Sequence, residues 1–231
     1  MAMPCISQEG SMPKRTLAVA LGLSLALFAA GAGVAVHPQT PQPDPASLPA
    51  HDTHQGLLIA ADPYTSAERS KLQFGKHSPY EGGILAIDAF FKNDNDSPIR
   101  ITLDTVELRI GSPGGPRQKL KGLSPEDVAD RTLLKTGKNV RLPRAPIPLP
   151  GAIPKTGRDK NWNDFVAILR SDAMSSGVLP PHSTTHGFFY FDIDHHYEWL
   201  SNGLLDVPDM EFMIGNKALF FFEVDLKNAA P

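Results

Sequence analysis

Residues 84–103 read Ile-Leu-Ala-Ile-Asp-Ala-Phe-Phe-Lys-Asn-Asp-Asn-Asp-Ser-Pro-Ile-Arg-Ile-Thr-Leu. Ile84 to Lys92 is a β-strand with apolar residues on both faces. It runs into Asn93-Asp94-Asn95-Asp96-Ser97-Pro98, a turn, because Asn and Asp side chains bond to nearby backbone and proline presets φ. Ile99, Ile101 and Leu103 then alternate with polar residues, the period of a strand with one apolar face. Beyond them the phase changes, so that Val106, Leu108 and Ile110 carry the alternation. A one-residue slip would turn every side chain to the wrong face, so a bend or bulge is expected near Asp104-Thr105.

Working outward, the same pattern recurs. Leu57 to Ala61 opens an earlier strand, closed by Asp62-Pro63. Gly187 to Ile193 reads Gly-Phe-Phe-Tyr-Phe-Asp-Ile, a later one. Met210 to Ile214 and Lys217 to Leu226 are two apolar runs around Gly215-Asn216, a good hairpin signal. The chain is therefore expected to be mainly β, an immunoglobulin-like antiparallel β-sandwich over residues 57–231. A helical and proline-rich insertion is expected at 111–182.

The insertion opens with Gly111-Ser-Pro-Gly-Gly-Pro116, which no regular element tolerates. Ser124-Pro125-Glu126-Asp127 then supplies a capping hydroxyl, a proline at the first helical position and acids at the positive end of the helix dipole, ahead of Val128, Leu133 and Leu134. Leu142 to Pro154 is proline-rich and reads as an extended covering arm. Asn161 caps a second helix in which Trp162, Phe165, Val166 and Leu169 fall at i, i+3, i+4 and i+7, a stripe that should dock on the sheet.

Ahead of the β region lies an uncharged run of 20 residues, Leu17 to Val36, preceded by Lys14-Arg15. Its most apolar part comes first and small residues follow, the layout of a signal peptide, with Ala30-Gly31-Ala32 offering a cleavage site after Ala32. The alternative is an uncleaved anchor, for which about 20 apolar residues suffice and Lys14 and Arg15 set the orientation. In either case residues 37 onward are exported, to the periplasm, the cell surface or a membrane-anchored position. Met12 is a second candidate start. Residues 37–56, with prolines at 38, 41, 43, 45 and 49, read as a stiff linker carrying His51 and His54 as solvated side chains.

Cys5, the single cysteine, precedes the apolar run, so the exported part is expected to have neither disulfide nor thiol chemistry. About 175 residues after Gly56 are enough for one self-supporting core. The whole chain carries a net charge of −3; without residues 1–36, 20 basic and 24 acidic residues give −4. No basic stripe with interleaved aromatics occurs, which argues against a nucleic-acid partner. Gly-x-Ser-x-Gly, His-Glu-x-x-His, the phosphate-binding Gly loop and the dinucleotide fingerprint are all missing from the sequence, so no catalytic residue is named.

One constellation suits metal chemistry. In an extended strand Asp192, Asp194 and His196 share one face, opposite Phe189, Phe191 and Ile193, with His182 and His186 just upstream. Two carboxylates and an imidazole there would take a divalent ion. The competing reading has these groups simply facing water at a strand end.

Two segments carry a resemblance: Ile-Asp-Ala-Phe-Phe-Lys-Asn-Asp-Asn-Asp-Ser-Pro-Ile-Arg-Ile-Thr-Leu at 87–103 and Leu-Pro-Pro-His-Ser-Thr-Thr-His-Gly-Phe-Phe-Tyr-Phe at 179–191. Together they resemble the strand, Asn-containing turn, strand and later Pro, Gly, Phe strand of exported bacterial immunoglobulin-like domains of unknown function, including acidobacterial envelope proteins. The resemblance implies an immunoglobulin-like sandwich in the envelope and brings no catalytic residues. The insertion at 111–182 departs from it.

Three functions are compatible with these readings. The first expectation is a non-catalytic module that binds an envelope protein or glycan and needs no cofactor. A metal-binding protein using the 182–196 cluster and an envelope hydrolase are the alternatives.

Overall fold

The computed structural model describes residues 43–136 and 160–229. The apolar run at 84–92 explains the architecture. In β3 (Ile84–Asn93) side chains alternate across the sheet, and both sets are buried. Leu85, Ile87, Ala89 and Phe91 enter the main core, whereas Ile84 and Ala86 enter a second core beneath helices and Phe90 a third cluster. A strand with apolar residues on both faces is the middle of a stack.

β3 belongs to a first antiparallel sheet with β1 (Ala50–His54), β2 (Leu57–Pro63) and β8 (Ser183–Asp192), in the order β1-β2-β3-β8. A second sheet contains β4 (Ile99–Ile101), β7 (Val178–Leu179), β10 (Met210–Phe212) and β11 (Lys217–Ala218), ordered β11-β10-β4-β7. The third, ordered β12-β9-β5-β6, comprises β5 (Glu107–Ile110), β6 (Gln118–Lys121), β9 (Leu204–Val207) and β12 (Phe222–Asp225). The described protein is thus mainly β, with three antiparallel sheets. The main core draws on all three, through Leu57, Ile59 and Phe191 of the first, Ile99 and Met210 of the second, and Leu108, Leu205 and Val224 of the third. Edge strand β1 runs beside β12, and β8 beside β6.

Helices α1 (Ala67–Phe74), α2 (Pro125–Thr136) and α3 (Lys160–Asp172) cover the other face of the first sheet. The Ser124 hydroxyl accepts from the Asp127 N–H at 3.1 Å, so the cap read from the sequence forms. Phe165, Val166 and Leu169 of α3 pack on Phe188 and Tyr190 of β8, so the i, i+3, i+4, i+7 stripe docks where its spacing predicts. Trp162 lies at its margin and donates Nε1–H to Asp130 at 2.7 Å.

Several expectations are corrected. The phase slip at Asp104-Thr105 is a 3-10 turn, Leu103–Thr105, that carries the chain from the second sheet to the third. Each sheet buries its own face, so the alternation restarts. The segment 111–182 is no pure insertion, because β6 and β7 lie within it and pair with β5 and β4. The run 217–226 breaks at Leu219–Phe221, between β11 and β12, again because it changes sheet. The hairpin at Gly215-Asn216 forms, with Phe212 opposite Lys217.

The linker reading of 37–56 fails over its last part. Ala50–His54 is a strand, paired with β2 so that His54 faces Leu57. The connecting Gln55 and Gly56 both have positive φ, 51° and 71°, the two-residue turn whose twist suits a hairpin. A Cβ at Gly56 would also lie 2.6 Å from Asn95 Oδ1. Helix α1, for which the sequence reading had no element, is capped by Ser66 and ended by Gly75.

Among the described residues no helix is long and apolar enough to cross a membrane. The readings of Cys5, Met12, the 17–36 run and the 142–154 arm lie outside the described residues.

Candidate functional site

The proposed metal face depends on an extended strand through His196, and the strand stops at Asp192. Asp194 and His195 take left-handed φ values of 47° and 69°, and His196 begins a 3-10 turn, Tyr197–Asn202. Alternation therefore ends before Asp194, and the shared face of Asp192, Asp194 and His196 does not form. Asp192 pairs with Arg131 of α2. His196 Nδ1 lies 2.9 Å from Glu198 Oε1, and its ring stacks on Trp199 at 4.2 Å. That hydrogen bond holds the Glu198 carboxyl below the usual range. His182 Nε2 sits 2.8 Å from Asp96 Oδ1 at the surface. Among the described residues, no group of three or more His, Cys, Asp or Glu side chains converges as a metal site.

His186 finds a partner that the sequence reading did not give it. Its Nδ1 is 3.0 Å from Asp88 Oδ1, one row along the ladder from its own cross-strand neighbour Phe90, on whose ring it stacks at 5.2 Å. Asp88 is buried, and desolvation raises its carboxyl above the usual value while His186 pulls the other way. The hydrogen bond to Asp88 raises the His186 imidazole. Asp62, directly across from Asp88 on β2, forms a two-pronged pair with Arg69, whose guanidinium lies 4.0 Å from the centre of the Tyr64 ring. A carboxylate-oriented histidine is half of an acid–base apparatus. Here the described hydrogen bonds of His186 go to Asp88 alone, so the pair reads as a polar tie across β3 and β8.

A groove with room for a ligand lies elsewhere, on the third sheet. Leu108, Leu205 and Phe222 point to the core, so their neighbours Arg109, Asp206 and Glu223 point outward from β5, β9 and β12. Asp206 faces Glu223 and Glu107 in the two ladders, and Arg109 bridges the cluster diagonally. Its Nη1 donates to Glu223 Oε1 at 2.5 Å and its Nη2 to Asp206 Oδ2. Asp206 is only 2% exposed, and among the described residues its second oxygen, Oδ1, has no hydrogen-bond partner; neither has Arg109 Nε.

With Pro208, Leu219, Phe220 and Phe221 these three residues line an open groove of about 480 Å³. Phe220 and Phe221 are 71% and 57% exposed, on the crossing between the second and third sheets. The Phe220 N–H donates to Gln55 Oε1 at 2.8 Å, and Phe222, buried, stacks on His54 at 3.6 Å. The loop presenting the two rings is thereby pinned to the β1–β2 hairpin. His54, read earlier as a solvated linker residue, is one of the pins.

The sequence reading assigned no role to this groove. A signal was present in Phe220-Phe221-Phe222, since three successive phenylalanines cannot all face one side of a strand. Compared with known proteins, the chain matches no family model, no curated protein and no solved structure.

Proposed function

We propose that this protein is a non-catalytic binding module, exported and either released or held by an N-terminal anchor, that engages an envelope protein through the Phe220-Phe221 corner. Exposed apolar patches bordered by polar groups mark interaction sites. The carrying observation is the adjacent pair of exposed phenylalanines beside a groove with a buried charged floor. Export rests on the signal-like run at 17–36. An immunoglobulin-like β-sandwich is the proposed frame, supported by antiparallel strands throughout the ladders and by the alignment of β1 with β12 and β8 with β6 around a shared core. In such frames, loops at the ends of the sheets carry the function.

Photo-crosslinking in the native envelope tests this. A photoreactive phenylalanine analogue is placed at Phe221 and, as a control, at Leu72, which is 87% exposed on α1. The expected result is one recurrent protein adduct from position 221 and none from position 72. Equal labelling from both positions, or none from either, would overturn the reading.

A further inference from the structure

The groove has a charge imbalance as well as a shape. Two carboxylates, Asp206 and Glu223, meet one guanidinium, Arg109. The cluster carries one uncompensated negative charge. A buried acceptor without a donor costs free energy that a ligand's donor would recover. Asp206 Oδ1 is such an acceptor in a residue almost wholly buried in the groove floor. The walls are apolar: Pro208, Leu219 and two exposed rings whose faces attract cations. Anionic lipid or phosphate would meet the wrong charge, and a purely apolar partner would leave the carboxylates desolvated and unpaired.

We infer that the groove receives a lysine or arginine side chain, flanked by apolar residues, from a peptide segment of the partner protein. The cation lies against Glu223 and Asp206, and the flanking residues cover Phe220 and Phe221. The aliphatic stem of such a side chain suits the apolar wall while its head reaches the carboxylates. This inference rests on the binding-module reading and adds the chemistry of the occupant.

The test uses the full-length protein and three peptides that differ at one central position: acetyl-Gly-Ser-Leu-X-Leu-Ser-Gly-amide with X as lysine, norleucine or glutamate. Calorimetry or fluorescence anisotropy should show the lysine peptide binding at least tenfold more tightly than the norleucine peptide. That preference should shrink at about 0.5 M salt, where the Debye length falls to a few ångström. Glu223→Gln, a near-isosteric change at a side chain 35% exposed, should remove most of the preference with the melting midpoint measured alongside, and Phe221→Ala should weaken both peptides together.

Equal binding of the lysine and norleucine peptides, tighter binding of the glutamate peptide, or no binding of any would overturn the inference. So would a concentration-dependent dimer abolished by Phe221→Ser, because the occupant would then be a second copy of the chain. If the crosslink from position 221 persists while the lysine preference is absent, the binding module stands and only its occupant is wrong. If both fail, the two readings fall together.

Discussion

The first and third sheets turn the same kind of alternating strand outward to different effect. On the outer face of the first sheet, Ile84, Ala86, Phe188 and Tyr190 are apolar, and three helices cover them. On the outer face of the third, Arg109 pairs with Asp206 and Glu223 and Lys119 with Glu107 across the strands, and none of the three helices contributes to a core there. The difference teaches that outward-facing side chains decide where a third layer forms, because only apolar surface gains from being covered. Among the described residues the charged face of the third sheet carries no helical layer, whereas the helix-covered face is committed to stability. The two polar pairs differ as well: Asp88–His186 ties β3 to β8 with the imidazole still partly exposed, whereas Arg109–Asp206, the more enclosed pair, forms the floor of a groove.

The largest effect should come from the core that both sheets share. Phe91→Ala removes a fully buried ring and should cost about 3–5 kcal/mol in denaturant unfolding. A loss under 1 kcal/mol would mean that the stack does not depend on β3. Next, Gly187→Ala would bring a Cβ within 2.6 Å of the Met174 backbone, where the chain after α3 crosses β8. Overpacking of this kind costs about 1–3 kcal/mol, read as a lower melting midpoint.

Arg109→Met leaves Asp206 buried without its counter-ion. The cost should be about 2–3 kcal/mol, below the usual 3–5 because Arg109 is 30% exposed. Arg131→Met breaks the more open pair with Asp192 and should cost no more than about 1 kcal/mol. If the two substitutions cost the same, the contrast between an enclosed and an open ion pair is lost.

The helix-covered face should also respond to pH. Asp88 is raised by burial and His186 by its bond to Asp88, so the folded chain holds protons more tightly than the unfolded one. Stability from His186 is therefore full below the unfolded histidine value of about 6.5 and is lost as pH rises through its elevated folded value. Melting midpoints measured across that window should fall with rising pH, and His186→Gln should flatten the slope. The smallest effect on stability belongs to the exposed rings: Phe220→Ser should stay within about 0.5 kcal/mol while abolishing the crosslink from the photoreactive analogue at position 221.

Much of the local structure was legible in the residues. Ser124-Pro125 starts α2, the α3 stripe docks, and the polar cluster at 93–98 turns the chain. Asn93 does so as a buried tie, its amide donating to Ser97 O at 2.9 Å and Pro180 O at 3.0 Å. β1 escaped because proline spacing before it dominates the composition, and α1 because it buries only Ser70 and Phe74 while Leu72 faces out. The metal reading extrapolated a strand's period past Asp192, where two left-handed residues end it.

By itself the sequence determined the most strongly patterned strands and helices, among them β2, β3, β8, α2 and α3, how their faces alternate and where several turns fall, since these depend on residues a few positions apart. Only the tertiary structure decided which strand joins which sheet. A phase slip at 104–105 and a run at 217–226 look alike in one dimension whether the chain bends within a sheet or leaves it. The groove was decided there too: Arg109 meets Asp206 and Glu223 across 97 and 114 residues of chain. Partners that far apart are chosen by sheet pairing and core packing, which no local pattern encodes.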